Sequence, residues 1–127
     1  MDRRRWTLVL VLMTGCASPT SAELERQVAI EGIRAPVTVV AGNAFPVDLT
    51  IRHSDCDRDI RILRVDTPSV VTVEARARYR RVACFDIPSE RDTTFVVTAP
   101  APGTLVLRVV AFGSRPALDL PVTITPP

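Results

Sequence analysis

Residues 45–52 read Phe-Pro-Val-Asp-Leu-Thr-Ile-Arg, and their apolar side chains recur at every second position. A period of two places alternate side chains on opposite faces of an extended chain. The stretch therefore predicts a half-buried β-strand, with polar Asp48, Thr50 and Arg52 on its outer face. We expect the buried face of this strand to consist of Phe45, Val47, Leu49 and Ile51.

The same alternation recurs along the rest of the chain, and no window has a sustained helical period. Residues 60–62, residues 37–40 and the pair Val28 and Ile30 add weaker strands. Turn-forming residues separate the runs, which predicts an all-β, antiparallel sandwich of about seven strands. Pro46 and Pro121 favour edge positions, where a missing N–H is harmless. The other predicted inward faces are Val71, Val73, Ala75, Ala77 and Tyr79; Phe95, Val97 and Ala99; Leu105, Leu107, Val109 and Ala111; and Leu118, Leu120, Val122 and Ile124.

Three segments resemble turn-and-strand sequences of bacterial Ig-like domains: residues 41–47 (Ala-Gly-Asn-Ala-Phe-Pro-Val), 67–73 (Thr-Pro-Ser-Val-Val-Thr-Val) and 101–107 (Ala-Pro-Gly-Thr-Leu-Val-Leu). The resemblance implies an Ig-like β-sandwich over residues 27–127. Such domains usually serve as adhesion, spacer or assembly modules, although a fold alone does not fix a function. The chain departs from antibody-type domains because its single tryptophan is Trp6, outside the sandwich.

The first residues resemble a bacterial lipoprotein signal. Three arginines at residues 3–5 precede an apolar run over residues 6–13, and Met13-Thr14-Gly15-Cys16 follows. About eight apolar residues fit a secretory signal but not a spanning helix, which needs about 20. The arginines also look like a twin-arginine export signal. The alternative is a buried N-terminal element with an incidental cysteine.

The resemblance to lipoproteins implies that residues 1–15 are cleaved as a signal peptide and that Cys16 is acylated. Residues 16–26 then form the lipidated cysteine and a short tether. Two or more acyl chains give stable membrane anchoring. Ala17 follows the cysteine in place of an aspartate, which favours the outer membrane, facing the periplasm. The implied partners are the membrane and another envelope protein.

Charge argues against nucleic acid as a partner. The whole chain carries a formal charge of +2, from 16 basic and 14 acidic residues. Three of the basic residues and one acidic residue lie in residues 1–15, so the remainder is formally neutral. A neutral domain has no broad attraction for phosphate backbones.

Cys56 and Cys84 are an even pair once Cys16 is taken by lipid, which predicts a disulfide in an oxidising compartment. If residues 59–65 and 70–77 form a hairpin, Cys56 lies opposite about residue 79, a few residues before Cys84. A bridge would stabilise the fold by roughly 3 kcal/mol in the chain-entropy model. The alternative is two buried free thiols.

Asp55, Asp57 and Asp59 have the alternate spacing of calcium ligands in an EF-hand loop. However, Ile60 occupies the position where that loop needs glycine, and no helices flank it. The alternative is a solvated inter-strand loop that Cys56 fixes in place.

Arg76, Arg78 and Arg80, with Arg81 beside them, predict a basic ladder on one strand face. Such a ladder could bind phosphate headgroups or an acidic partner. The alternative is a solvated face that cross-strand acids neutralise. The candidate acids are Asp48, Glu74 and Asp59.

Catalytic chemistry has little support in the sequence. His53 is the single histidine, and Ser54 and Asp55 beside it do not converge on it in an extended chain. We therefore expect a lipid-anchored envelope protein that binds or assembles without catalysis and without a cofactor. The alternative is a small calcium- or ligand-binding lipoprotein that uses residues 55–59.

Overall fold

The computed structural model describes residues 24–79 and 84–127. Within these two ranges the chain is all-β, with eight strands and no helix. None of the described residues forms a helix long and apolar enough to cross a membrane. The strands are β1 (Leu24–Arg34), β2 (Thr38–Val40), β3 (Ala44–Ser54), β4 (Asp57–Asp66), β5 (Val70–Tyr79), β6 (Pro88–Thr98), β7 (Gly103–Val109) and β8 (Leu118–Thr125).

The alternation predicted for β3 is confirmed, because its four apolar side chains are all buried. The buried apolar side chains of β5, β7 and β8 join those of β3 in one core cluster. The sheet curls around this cluster. Two inward predictions are wrong. Ala111 is exposed on the segment after β7, which ends at Val109, and Leu118 is 41 % exposed at the start of β8.

Strand β1 links two sections of the curled sheet. Its first half, from Leu24 to Val28, pairs with β5, and its second half, from Ala29 to Arg34, pairs with β3. The hydrogen-bonded order is β2-β8-β7-β5-β1-β3-β6, and β4 pairs with β5 off this path. The register of β1 shifts between Ile30 and Gly32, where a bulge adds one residue and bends the strand.

The sheet is mixed, so the expectation of a purely antiparallel arrangement is wrong. Strand β5 pairs with β7 in parallel, and β2 pairs with β8 in parallel. A parallel pair needs a crossover connection of a dozen or more residues. Between β5 and β7 the chain supplies it by passing through β6, which pairs with β3 in the other section.

Pro46 and Pro121 each occupy a position that has a neighbouring strand on one side only, as expected. Pro46 pairs with Val96 of β6, whereas the pairing of β3 with β1 begins at Asp48. Pro121 pairs with Val106 of β7, two residues before β2 joins β8. The missing N–H therefore breaks no ladder.

Two boundaries differ in detail from the sequence interpretation. Residues 37–40 do supply a strand of their own, β2, which raises the count to eight. Strand β1 spans Leu24–Arg34, so residues 24–26 of the predicted tether are part of the sheet.

Candidate binding surface and the polar junction beside it

A partly buried ion pair lies at one end of the sheet. Arg26 of β1 donates from Nε to Asp57 Oδ1 at 2.7 Å and from Nη2 to Oδ2 at 2.9 Å, which is a bidentate geometry. The Ser54 amide donates to Asp57 Oδ2 at 2.8 Å, and the Ser54 hydroxyl accepts from the Cys56 amide at 3.1 Å. We call Arg26, Ser54 and Asp57 the polar junction.

Burial and pairing set the charge state of the polar junction. The Asp57 side chain is 1 % exposed, and that of Arg26 is 38 % exposed. Burial alone would raise the pKa of Asp57, but the hydrogen bonds from Arg26 and the Ser54 amide outweigh it and lower the pKa. The hydrogen bond to Asp57 raises the pKa of Arg26 in turn. The Arg26 guanidinium also lies 4.0 Å from the centre of the Tyr79 ring.

The predicted disulfide is present. Cys56 bonds to Cys84, with 5.2 Å between their Cα atoms. Strands β4 and β5 form the expected hairpin, in which Asp57 lies opposite Tyr79. The bridge therefore connects the start of β4 to the segment that leads into β6.

Residues 84–87, which we call the disulfide loop, are held by Asp55 as well as by the disulfide. The Asp55 carboxylate accepts the amide N–H of Phe85 at 3.0 Å and that of Ile87 at 2.8 Å. These two backbone hydrogen bonds, Phe85 first, lower the pKa of Asp55. Asp86 between them has a φ of 55°, the left-handed conformation that allows both amides to face one carboxylate.

The three aspartates of the calcium pattern face different partners. Asp55 is exposed and holds the disulfide loop, whereas Asp57 is buried against Arg26, so the segment is a solvated turn fixed by Cys56 except at Asp57. Asp59 lies 3.7 Å from Arg78 and has a φ of 50°, at a register shift in β4. Within residues 24–79 and 84–127 no group of three or more potential ligands could hold a metal ion.

The arginine ladder extends over two strands and includes its own counterions. Arg76 and Arg78 of β5 lie opposite Arg61 and Arg58 of β4, so four arginines share one face. Arg80 and Arg81 lie outside the described residues. Glu74 pairs with Arg76 at 3.0 Å, Asp59 approaches Arg78, and Glu25 pairs with Arg61. Of the acids we expected here, Asp48 instead lies on β3, where it accepts a hydrogen bond from Thr94.

A shallow groove of about 440 Å³ lies beside the polar junction. His53 is at its wall, with Nδ1 3.0 Å from the backbone carbonyl oxygen of Ser54. The Ser54 hydroxyl is bonded to the Cys56 amide and to Arg26. The His53 ring thus contacts the backbone, and the Ser54 hydroxyl contacts the Cys56 amide and Arg26. The two side chains are not bonded to each other.

Strand β6 forms a long edge. It pairs with β3 over all 11 of its residues, and in the described part of the chain β3 is its only neighbour. The first half carries Glu90, Arg91 and Asp92, whereas residues 93–98 read Thr-Thr-Phe-Val-Val-Thr. Arg64 of β4 donates to the Val96 carbonyl oxygen at 2.7 Å. Its guanidinium thus covers one acceptor of the edge.

Sequence analysis missed two residues at this end of the sheet, Arg26 and Phe85. Arg26 fell within the predicted tether, and nothing local marks which arginine accompanies Asp57. Phe85, which the alternation pattern does not single out, is 87 % exposed. A usable signal was present, since Cys84-Phe85-Asp86-Ile87-Pro88 has no clean alternation and ends in proline.

Comparison with known proteins does not assign a function to this site. No family model matches the chain, and no curated protein or solved structure is significantly similar to it.

Proposed function

We propose that the chain is a lipid-anchored envelope protein whose Ig-like sandwich binds another envelope protein without catalysis. Residues 3–5, the apolar residues 6–13 and Cys16 support the anchor, because they follow the order of a lipoprotein signal. The bond between Cys56 and Cys84 supports an oxidising compartment. Under this proposal Cys16 faces the periplasm from the outer membrane.

The sandwich assignment is supported by the way in which β1 changes partners. Its two halves divide the sheet into a β5 section and a β3 section. Apolar faces of both sections contribute to the core, as Leu49 of β3 and Val73 of β5 illustrate. Shared use of one strand by two packed sections is compatible with an Ig-like arrangement of layers.

One observation carries the binding role: the uncharged half of the β6 edge. Residues 93–98 combine high β-propensity with an edge that pairs on one side only, although Arg64 covers one of its acceptors, the Val96 carbonyl oxygen. Edges of this kind accept an added strand from a partner through main-chain hydrogen bonds. The arginine ladder is a weaker candidate, because acids of the same face already accompany Arg76, Arg78 and Arg61.

Photocrosslinking in intact cells tests the binding role. A photoreactive amino acid replaces Val96 on β6 or, as the matched control, Thr123 on β8. Both residues are exposed, but Thr123 has β7 on one side and β2 on the other. We expect a discrete crosslinked product with a second protein at position 96 and none at position 123. Equal labelling at both positions, or none at either, would reject the β6 edge as the binding surface.

Intact-mass analysis of the product from cells tests the anchor separately. We expect a chain that starts at Cys16 and carries a diacylglyceryl group and an N-acyl chain. A product that starts elsewhere, or that has an unmodified Cys16 thiol, would contradict the proposal.

A further inference from the structure

The end of the sheet where the described chain begins also carries the disulfide loop. Leu24 pairs with Tyr79, and Tyr79 pairs on its other side with Asp57, so the three residues lie in one row across β1, β5 and β4. Arg26 Nη2 lies 3.9 Å from Asp86 Oδ1, inside the disulfide loop. The start of β1 and the loop are therefore direct neighbours.

This end exposes apolar side chains on a fixed backbone. Phe85 is 87 % exposed, Ile87 57 % and Leu24 46 %. The loop that carries the first two is held by the disulfide at Cys84 and by both hydrogen bonds to Asp55. A loop already held in place loses little conformational entropy when its side chains are buried by a partner.

Chain length limits how far this end can lie from a lipid on Cys16. Seven residues separate Cys16 from Leu24. Fully extended, that segment spans at most about 28 Å. Strand β1, with 11 residues, runs away from this end for about 33 Å. Val37, just beyond β1, consequently lies at the far end of the molecule.

We infer that Phe85 and Ile87 insert into the interfacial layer of the bilayer that holds the Cys16 lipid, with Leu24 beside them. The inference rests on the proposed anchor and adds to it a defined membrane-facing surface. Transfer of an aromatic ring and a branched aliphatic chain out of water is favourable, and the anchor keeps both within reach of the lipid. Arg58, exposed near the same end, can meet phosphate headgroups.

Tryptophan fluorescence tests this surface because Trp6 is the only tryptophan and lies in the predicted signal peptide. The full chain is expressed in cells with F85W, and the processed product is reconstituted into vesicles of phosphatidylethanolamine and phosphatidylglycerol. Half of the vesicle preparations carry brominated acyl chains, which quench tryptophan at membrane depth. V37W is the matched control, since Val37 is 78 % exposed at the far end. I87W provides a second probe of the loop.

We expect F85W and I87W emission to shift to the blue in vesicles and to be quenched by brominated lipid. V37W should keep the emission of a water-exposed indole. Flotation with vesicles and intact mass are measured on the same samples. A lipidated, floating product whose F85W and I87W emission is no more quenched than that of V37W overturns the inference and leaves the anchor standing. A product without lipid that does not float overturns the anchor and the inference together.

Discussion

The aliphatic core and the polar junction hold the same sheet by opposite means. In the core, side chains such as Leu49 and Val122 are buried among apolar neighbours from several strands. At the polar junction, a single pair, Arg26 with Asp57, connects β1 to β4 through charge. Loss of one core side chain leaves a cavity, whereas loss of one charge leaves its partner buried and unpaired. The stability lost through a core cavity does not depend on pH, whereas the stability lost through an unpaired buried charge does.

The largest effect is expected in the core. Leu49→Ala should lower the free energy of unfolding by about 4 kcal/mol, because it removes buried apolar volume and leaves a cavity. Urea denaturation of the purified protein measures the change. Leu63→Ala is the control, since Leu63 lies on β4 and is 42 % exposed. A loss at Leu49 as small as that at Leu63 would contradict the assignment of Leu49 to the core.

Removal of the disulfide should come next. Cys56→Ser with Cys84→Ser releases a loop of 28 residues and should cost about 3 kcal/mol through the entropy of the unfolded chain. The same loss should appear when the unchanged protein is reduced before unfolding. If reduction alters nothing, the bridge is not formed in the protein.

The polar junction should give a smaller and pH-dependent loss. Arg26→Met should cost about 2 to 3 kcal/mol at neutral pH, below the usual cost of breaking a fully buried pair because Arg26 is partly exposed. The pKa of Asp57 is lowered in the folded protein. Its pairing therefore stabilises the fold above the unfolded pKa of about 3.9, and that contribution disappears as pH falls through the folded pKa.

In Arg26→Met the sign reverses, because burial without a counterion raises the pKa of Asp57 and protonation then favours the fold. In urea titrations across pH, the difference in free energy of unfolding between the two proteins should begin to narrow as pH falls through the raised pKa of Asp57 in the variant, and should keep narrowing down to the lowered pKa in the unchanged protein. Arg108→Met is the matched control, since Arg108 pairs with Asp119 on the exposed face of β7 and β8. A gap between Arg26→Met and the unchanged protein that is constant with pH would contradict a charged role for the junction.

The smallest expected effect is that of calcium. Asp55 and Asp57 already accept hydrogen bonds from backbone amides or from Arg26, and Asp59 faces Arg78. Millimolar calcium should therefore leave the Tm unchanged in a thermal melt. A rise in Tm would show a site in the folded state, because a ligand bound only by the folded protein raises its stability.

Period-two alternation was enough to predict β3, β5 and most of the core, because each of these strands has one buried face. The disulfide was predictable for another reason: with Cys16 set aside, Cys56 and Cys84 are the two cysteines that remain. Burial and pairing in these parts depend on neighbouring residues in one strand or hairpin, which a sequence displays directly.

The features that the sequence did not predict depend on contacts between residues far apart in the chain. Strand β1 changes partner from β5 to β3 between Val28 and Ala29. Val28, Ala29 and Ile30 are buried in succession there, so the strand lacks clean alternation in the sequence. The parallel pairing of β5 with β7 is set by the route through β6, which carries no local signal. Arg26 and Asp57 are 31 residues apart, and a neutral chain with many arginines does not indicate which one accompanies a buried aspartate.

Strand β1 also determines how the domain responds to mechanical load. Tension applied to the segment before Leu24 acts along β1, whose halves are bonded to different sections. Extraction of the strand must shear both sets of hydrogen bonds, as well as the Arg26 contact, instead of peeling one edge strand away. If the proposed anchor is present, it pulls on the strand that joins the two sections, which resists force better than an edge strand would.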